Sequence, residues 1–336
     1  MTGATATERA ELLEMARDFA RRELTPRGAA LDGGDLAVIG GCWRQLVELG
    51  LERALLAEEH GGAGLDLFDL LVAIEELAVG DGGIALSVLL SNVALATAQP
   101  EEVAAIPAGA RWVVVLVRSG TEVTISDGRL VGRVACALGA HGADGLVLVG
   151  AGSAPVAISA GTKGLGLQRD ETQMGLRAAP AASITLAGIT VRSDLTAING
   201  AEPLVLLRAG TAAIARGIAR RAYEMAMEYA HARRQGGVAI IEHDAVNDML
   251  GAMAVRLAVP LPTTAGETQA LAAKIAQTDA AVATTTDAVQ VFGGTGYIRE
   301  TGIEKLMRDA KYCQLFPEPN WVAQDELMGL ERARRR

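Results

Sequence analysis

The sequence predicts three packed units in a fixed order. These are an N-terminal all-helical unit (residues 1–107), a small middle β-sandwich or barrel (residues 108–196) and a C-terminal four-helix bundle (residues 197–336). Three observations predict this order: apolar residues recur at helical spacing through the first hundred residues, short β-branched runs replace them, and long helical patterns then continue to the end. A chain of 336 residues also exceeds what one simple core needs, which favours two or three units.

The first unit has the pattern of several helices joined by short loops. Helical spacing is clear in residues 12–19, 43–49 and 70–77, and residues 56–66 form a glycine-containing loop. The apolar run in residues 84–98 is interrupted by two serines and an asparagine and is too short to span a bilayer. It therefore indicates a buried core helix and no membrane segment.

The middle unit changes to short runs rich in valine, isoleucine and threonine. The predicted strands are residues 112–117, 122–126, 130–131, 145–149, 155–158, 182–186 and 189–191. An Asp127-Gly128 turn separates the second and third strands. Short strands at such close intervals are typical of a small antiparallel sandwich or barrel.

Helical patterns return at Pro203 and continue to the end. Residues 204–233, 244–257 and 268–292 predict three helices, and a fourth is expected from residue 304 onward. Four antiparallel helices with short connections make a bundle.

Composition excludes several classes of function. The net charge is −9, and basic residues cluster only in the last five positions, so no nucleic-acid surface is expected. Three widely spaced cysteines fit buried thiols in a reducing cytosol, and they offer no metal-binding spacing. The first residues lack a signal-peptide pattern, so a cytoplasmic location is expected. The four scattered histidines (His60, His141, His231 and His243) are expected to be non-catalytic.

Three stretches carry more specific information. The first is the glycine loop at residues 58–66 with Glu75-Glu76-Leu77 after it, and the second is the long helix from Arg208 to Gln235. The third is Q-V-F-G-G-T-G-Y at residues 290–297, with R-D-A-K at residues 308–311. Together they resemble the acyl-CoA dehydrogenase family, whose motifs include E-x-x-G-G-x-G, R-x-x-F-G, Q-x-x-G-G-x-G-Y and R-D-A-K. The match covers nearly the whole chain.

The resemblance implies FAD as cofactor, an acyl-CoA as substrate, and adenine and pyrophosphate contacts lent to the neighbouring subunit. The positions that match the family's contacts are Arg233, Gln290, Gly293 and Gly294. A guanidinium and bare backbone N–H groups suit a diphosphate. The alternative is that the glycines only cap a helix and that Arg233 only solvates its end. Gly236 stands where the family has phenylalanine, which weakens the expected adenine contact.

The family's catalytic base positions depart from the pattern. Pro317 occupies one of them, and Glu318 follows one residue late between two prolines that fix the backbone. Leu207 occupies the position that other members use. Glu318 is therefore a weak candidate base, and a solvated or structural carboxylate is the favoured interpretation. Glu304, Arg308 and Asp309 are expected to form a structural ion-pair set.

The middle unit also lacks the family's flavin-facing residues. No T-E-P motif occurs between residues 108 and 120, and the strand that should offer tryptophan and a hydroxyl reads Cys136-Ala137-Leu138-Gly139. These losses resemble the short subunit of heteromeric α2β2 acyl-CoA dehydrogenases, which act on bulky thioesters such as steroid side chains in actinobacteria. A second, related chain would then bring the base. Two alternatives stay open: a self-sufficient enzyme that uses Glu318, and a non-catalytic scaffold without flavin contact.

Overall fold

The computed structural model describes residues 6–98, 100–117, 122–150, 153–190, 203–261 and 266–335. Helices come first, strands follow, and helices return from Pro203. The second predicted domain boundary, at residue 196, lies outside these ranges, and the boundaries at 107 and 196 remain predictions.

The N-terminal unit contains six α-helices in its described residues. They are α1 (Ala6–Phe19), α2 (Gly28–Asp32), α3 (Leu36–Glu48), α4 (Leu67–Gly80), α5 (Gly82–Thr97) and α6 (Pro100–Ala105). Asp35, Asp66 and Asp81 begin α3, α4 and α5, because each carboxylate accepts N–H bonds from the first turn of its helix. Nearly every residue of α5 is buried, which confirms the prediction of a core helix.

The middle unit consists of two small sheets. Its strands are β1 (Trp112–Leu116), β2 (Thr124–Ser126), β3 (Arg129–Ala137), β4 (Gly145–Gly150), β5 (Ser153–Ser159), β6 (Leu165–Arg169) and β7 (Ala182–Thr190). One sheet has the order β1-β4-β5 and the other β2-β3-β7-β6.

Three strand predictions need correction. The two strands expected at residues 182–186 and 189–191 form the single strand β7. β1 pairs with β4 in parallel, so the expectation of a purely antiparallel unit is wrong. The chain reaches β4 through the β2–β3 hairpin of the other sheet, and such a crossover allows parallel pairing. β6 was not predicted, because its sequence L-G-L-Q-R carries one glycine and only two apolar residues.

The C-terminal unit contains five helices in the part of the chain that the structure describes. They are α7 (Pro203–Ala232), α8 (Asp244–Leu257), α9 (Glu267–Phe292), α10 (Ile303–Leu315) and α11 (Asn320–Arg334). The single helix expected after residue 304 is two helices, because Pro317 and Pro319 cannot continue α10. A short hairpin of β8 (Arg234–Gln235) and β9 (Val238–Ala239) follows α7.

Helices α7 and α9 lie side by side and run in the same direction. Near their C-terminal ends, the rings of Tyr229 and Phe292 stack with centroids 4.3 Å apart. Near their N-terminal ends, Arg208 and Lys274 both contact Glu318. This arrangement places the residues that follow α7 next to those that follow α9.

Arg308 and Asp309 join the three units. Arg308 forms a fork with Asp32 of the N-terminal unit at 3.0 and 2.8 Å, and it donates to the Met174 carbonyl of the middle unit at 2.6 Å. The Asp309 carboxylate is fully buried and accepts the Leu176 N–H. The ion pair of Arg308 with Glu304 is also present at 2.6 Å. The prediction of a structural ion-pair set therefore agrees with the contacts.

Candidate active site and cofactor-binding surface

The two predicted base positions face one small cavity. Leu207 comes from the first turns of α7, and Pro317 comes from the loop after α10. Both line a cavity of about 100 Å³ together with Cys136, Ala137 and Leu138. The remaining lining residues are Val114, Val115, Leu116 and Phe316.

The described side chains that line this cavity are mostly apolar. None of them has a carboxylate or an imidazole, so this described part of the wall offers no carboxylate base. Pockets that hold drug-sized ligands usually enclose roughly 300–1,000 Å³. A space of about 100 Å³ does not fit a flavin ring together with a thioester. The reactive half of the cofactor therefore does not fit this chain by itself.

The candidate base Glu318 lies outside the residues that line this cavity, in a buried ion network. Its side chain is fully buried, and Arg208 Nε donates to Glu318 Oε1 at 2.9 Å. Arg208 also donates through both terminal nitrogens to Glu326. This burial contradicts the interpretation of a solvated carboxylate and agrees with a structural one, while a role of Glu318 as base remains a prediction.

Lys274 completes this network from α9. Its ammonium is buried and donates to the Glu318 carbonyl at 2.5 Å, to Asn320 Oδ1 at 2.6 Å and to the Gln314 carbonyl at 3.2 Å. Burial lowers the pKa of Lys274 to about 8, although nearby carboxylates act in the opposite direction. Sequence reasoning missed Arg208 and Lys274 as partners of Glu318. The only local signal was a charged residue on the apolar face of each long helix.

The predicted diphosphate contacts lie together at the far end of α7 and α9. Arg233 follows α7 directly, while Gln290 belongs to the last turn of α9 and Gly293 and Gly294 follow it. The Tyr229–Phe292 stack holds the two helix ends against each other. The side chains of Arg233 and Gln290 are exposed, and Arg233 has no ion-pair partner within the described ranges.

The glycine turn leaves its backbone open. Gly293 has φ 60° and ψ −139°, a conformation that is essentially restricted to glycine. A Cβ atom added at Gly293 or Gly294 would meet nothing within 4 Å. An open turn beside an exposed guanidinium fits a diphosphate. These residues can thus hold the pyrophosphate end of a cofactor that approaches from outside.

The residue at the missing phenylalanine position lies in the β8–β9 hairpin. Gly236 and Gly237 have φ of 65° and 89°, so this tight turn favours glycine at both positions. The ring of His243 lies 3.2 Å from the Gln235 carbonyl. Tyr297, the last residue of the motif at residues 290–297, has a side chain that is 79% exposed beside the glycine turn.

Other expectations have mixed outcomes. Across residues 6–335 as described, no group of three potential ligands could hold a metal ion. Cys42 and Cys313 are buried, but Cys136 is exposed, so the expectation of three buried thiols is wrong for that residue. No described helix is both long enough and apolar enough to cross a membrane.

Two family models match this chain. Residues 6–100 match the N-terminal domain of acyl-CoA dehydrogenases, and residues 201–316 match the C-terminal domain. The chain belongs to the acyl-CoA dehydrogenase family. Its class of activity is accordingly the FAD-dependent dehydrogenation of acyl-CoA thioesters, and the predicted fold class is confirmed.

Known proteins of this family resemble the chain over nearly all of its length. A cyclohex-1-ene-1-carbonyl-CoA dehydrogenase of Syntrophus aciditrophicus is 27% identical, over 93% of this chain and 86% of the relative. The fold matches butyryl-CoA dehydrogenase from Megasphaera elsdenii with a TM-score of 0.83 and 23% identity, covering 98% of this chain and 99% of the other.

A second structural neighbour is described as the steroid acyl-CoA dehydrogenase Tcur3481-Tcur3483. It matches with a TM-score of 0.82 and 23% identity, over 97% of this chain and 98% of the other. Further neighbours of the same fold have been solved with FAD bound.

Proposed function

We propose that this chain is one subunit of a heteromeric acyl-CoA dehydrogenase in the cytosol. It lends Arg233, Gln290, Gly293 and Gly294 to the adenine and pyrophosphate end of an FAD whose ring lies in a related partner subunit. The partner supplies the catalytic base. One observation carries the proposal: both predicted base positions face a single cavity of about 100 Å³ with no described carboxylate, while the backbone of the glycine turn is open and Arg233 has no described ion-pair partner.

The separate roles of the two subunits follow from the chemistry of the reaction. Dehydrogenation removes a proton from the α carbon of the thioester and a hydride from the β carbon. FAD, when bound, supplies the hydride acceptor. The proton acceptor must be a correctly placed carboxylate, and catalysis tolerates little misplacement. Glu318 is held by Arg208 inside the protein, and no described carboxylate lines the cavity of Leu207 and Pro317 to accept the proton.

The contribution of this chain is therefore electrostatic and positional. An exposed guanidinium and a glycine turn neutralise and orient the diphosphate, which fixes the distant flavin ring in the partner. The name of one structural neighbour joins two proteins in one steroid acyl-CoA dehydrogenase, which supports an α2β2 assembly and a bulky substrate. The steroid side chain is the substrate class that we propose.

The test is co-purification. The tagged chain is expressed alone and with the acyl-CoA dehydrogenase-like chain that co-purifies with it, and FAD is measured per polypeptide. We expect the chain alone to be colourless or poorly soluble, and the complex to hold one FAD for each pair of chains. A yellow homo-oligomer that oxidises acyl-CoA would overturn the proposal. A yellow, active complex whose flavin content is unchanged by Arg233→Gln would favour the scaffold alternative.

A further inference from the structure

A second cavity lies between the N-terminal helical unit and the bundle. It encloses about 310 Å³ and is distinct from the diphosphate surface. The N-terminal unit contributes residues between Thr25 and Asp32, and the bundle contributes Arg221 and Met225 of α7 together with residues between Arg299 and Leu306. Arg221 lies twelve residues before Arg233, which follows α7 directly, so about 18 Å of helix separates the two.

Most charges that line this cavity are already neutralised. Lys305 pairs with Asp81 at 2.9 Å and with Asp309, and neither carboxylate lines the cavity. Asp32 is held in the fork with Arg308. These ionic groups therefore have no charge left for a ligand.

Two guanidinium groups remain without an acceptor. Arg221 is half-buried and Arg299 is exposed, and neither has a hydrogen-bond or ion-pair partner in the ranges that the structure describes. Glu300 also lines the cavity without a partner there. The uncommitted charges are thus two positive and one negative. A partly buried guanidinium without an acceptor is unfavourable, because it loses water without gaining a hydrogen bond.

The rest of the wall is apolar. Pro26, Ala29, Met225 and Leu306 contribute carbon surface beside the two guanidinium groups. A volume of about 310 Å³ lies within the range of small-molecule sites, roughly 300–1,000 Å³. A ligand that pairs with the guanidinium groups and also covers the apolar wall has an oxyanion at one end and a short apolar body.

We propose that this interdomain cavity binds a small organic oxyanion, with Arg221 and Arg299 holding the charged group. A phosphate monoester and a carboxylate share the required chemistry, because guanidinium groups bind both through paired hydrogen bonds. The site is independent of the shared-flavin proposal, since none of its residues belongs to the diphosphate surface.

Calorimetric titration tests the site on the full chain, in the assembly in which it purifies. The probes are inorganic phosphate, n-butyl phosphate and n-pentanoate at constant ionic strength. We expect n-butyl phosphate to bind more tightly than inorganic phosphate, because its alkyl chain covers the apolar wall. The comparison of n-butyl phosphate with n-pentanoate distinguishes the two kinds of oxyanion.

Four variants distinguish this site from non-specific binding. Arg221→Gln and Arg299→Gln should each weaken n-butyl phosphate binding by about tenfold, which corresponds to one lost charge-assisted hydrogen bond. Glu300→Gln should tighten it, because a like charge is removed, and a misfolded protein could not give that result. Arg133→Gln, at an exposed position on β3, should leave binding unchanged.

Two outcomes would overturn the proposal. One is the absence of measurable binding for all three probes. The other is binding that persists in Arg221→Gln but is lost in Arg233→Gln, which would assign the anion to the diphosphate surface.

Discussion

Leu207 in α7 and Pro317 in the loop after α10 line the same cavity, although they are far apart in the sequence. The sequence predicts that they occupy the two alternative positions of the catalytic base in this family. The structure therefore brings both options to one point in space, where neither supplies a carboxylate. A nearby acid, Glu318, is held by Arg208 at 2.9 Å. The following predictions test the consequences.

Glu318→Gln should lower stability without removing a catalytic base. The change leaves Arg208 fully buried with one carboxylate partner instead of two, and we expect a loss of about 2–4 kcal/mol in the free energy of unfolding. Urea unfolding measures this loss. The control Glu331→Gln removes an exposed ion pair with Arg334 and should change stability by less than about 0.5 kcal/mol. A variant with normal stability and no turnover in the assembled enzyme would instead identify Glu318 as the base.

Lys274 predicts a pH dependence of stability. Burial lowers its pKa from the ordinary 10.5 to about 8, so between these pH values the unfolded chain binds more protons than the folded one. The contribution of Lys274 to the free energy of unfolding therefore rises with pH across that window. Below pH 8 the ammonium is charged in the folded protein, and its burial destabilises the fold in full. Relative to Lys274→Met, the wild type should gain about 1–3 kcal/mol between pH 7 and pH 10. Urea unfolding at both pH values measures the difference. Lys311→Met, at an exposed lysine, should not alter the slope, and an identical slope in Lys274→Met would contradict the prediction.

Arg308→Met should weaken the junction of all three units. Arg308 contacts Asp32, Glu304 and the Met174 carbonyl, and its removal leaves two partly buried carboxylates without their partner. Burial by itself would lower the pKa of Arg308, but the two carboxylates raise it above its ordinary value. Arg308 therefore stays charged at every accessible pH. We expect a loss of about 3 kcal/mol by urea unfolding. Arg22→Met removes only an exposed pair with Asp18 and serves as control. Equal stability in the two variants would show that the junction is not important for folding.

Arg233→Gln should reduce FAD retention in the assembled enzyme. The loss of one guanidinium from the diphosphate surface should weaken FAD binding by about tenfold. Visible absorbance of the complex after gel filtration measures bound flavin. Arg234→Gln changes the neighbouring exposed arginine and should have no comparable effect. Unchanged flavin content in Arg233→Gln would support the scaffold alternative.

Gly293→Ala and Gly294→Ala should have different effects. Gly293 has a positive φ, so a side chain there strains the backbone and should cost about 1 kcal/mol of stability. Gly294 lacks that conformation and a Cβ atom there meets nothing, so alanine should leave stability unchanged. It should still lower FAD affinity, because the methyl group keeps the diphosphate away from the backbone. Thermal unfolding and flavin content, measured in parallel, separate the two effects. Full FAD content in Gly294→Ala would argue that this backbone does not touch the cofactor.

Several features could be predicted from short stretches of sequence. The apolar run of residues 84–98 identified the core helix α5, and Pro203 correctly marked where helices return. The end of α9 at the glycine turn of residues 293–297 was also predicted, and the cofactor role of that turn remains a prediction. These features depend on residues within a few positions of each other, so a local pattern contains them.

Other features depended on the packing of distant segments. The parallel pairing of β1 with β4 depends on a crossover through the second sheet, which no strand pattern encodes. The residues next to Arg208 and Lys274 in the sequence show only a helical pattern and do not point to Glu318. The loop before α11 brings Glu318 into contact with both side chains.

The sequence by itself determined the order of the units, the family, and the absence of a carboxylate at Leu207 and Pro317. The tertiary structure decided that these two positions share one cavity, that Glu318 is buried against Arg208, and that Arg233 and the glycine turn face outward together. The physical reason is that residue type and spacing fix local conformation and available chemistry. Whether a charged group becomes a base or a structural ion pair depends on which distant side chains surround it.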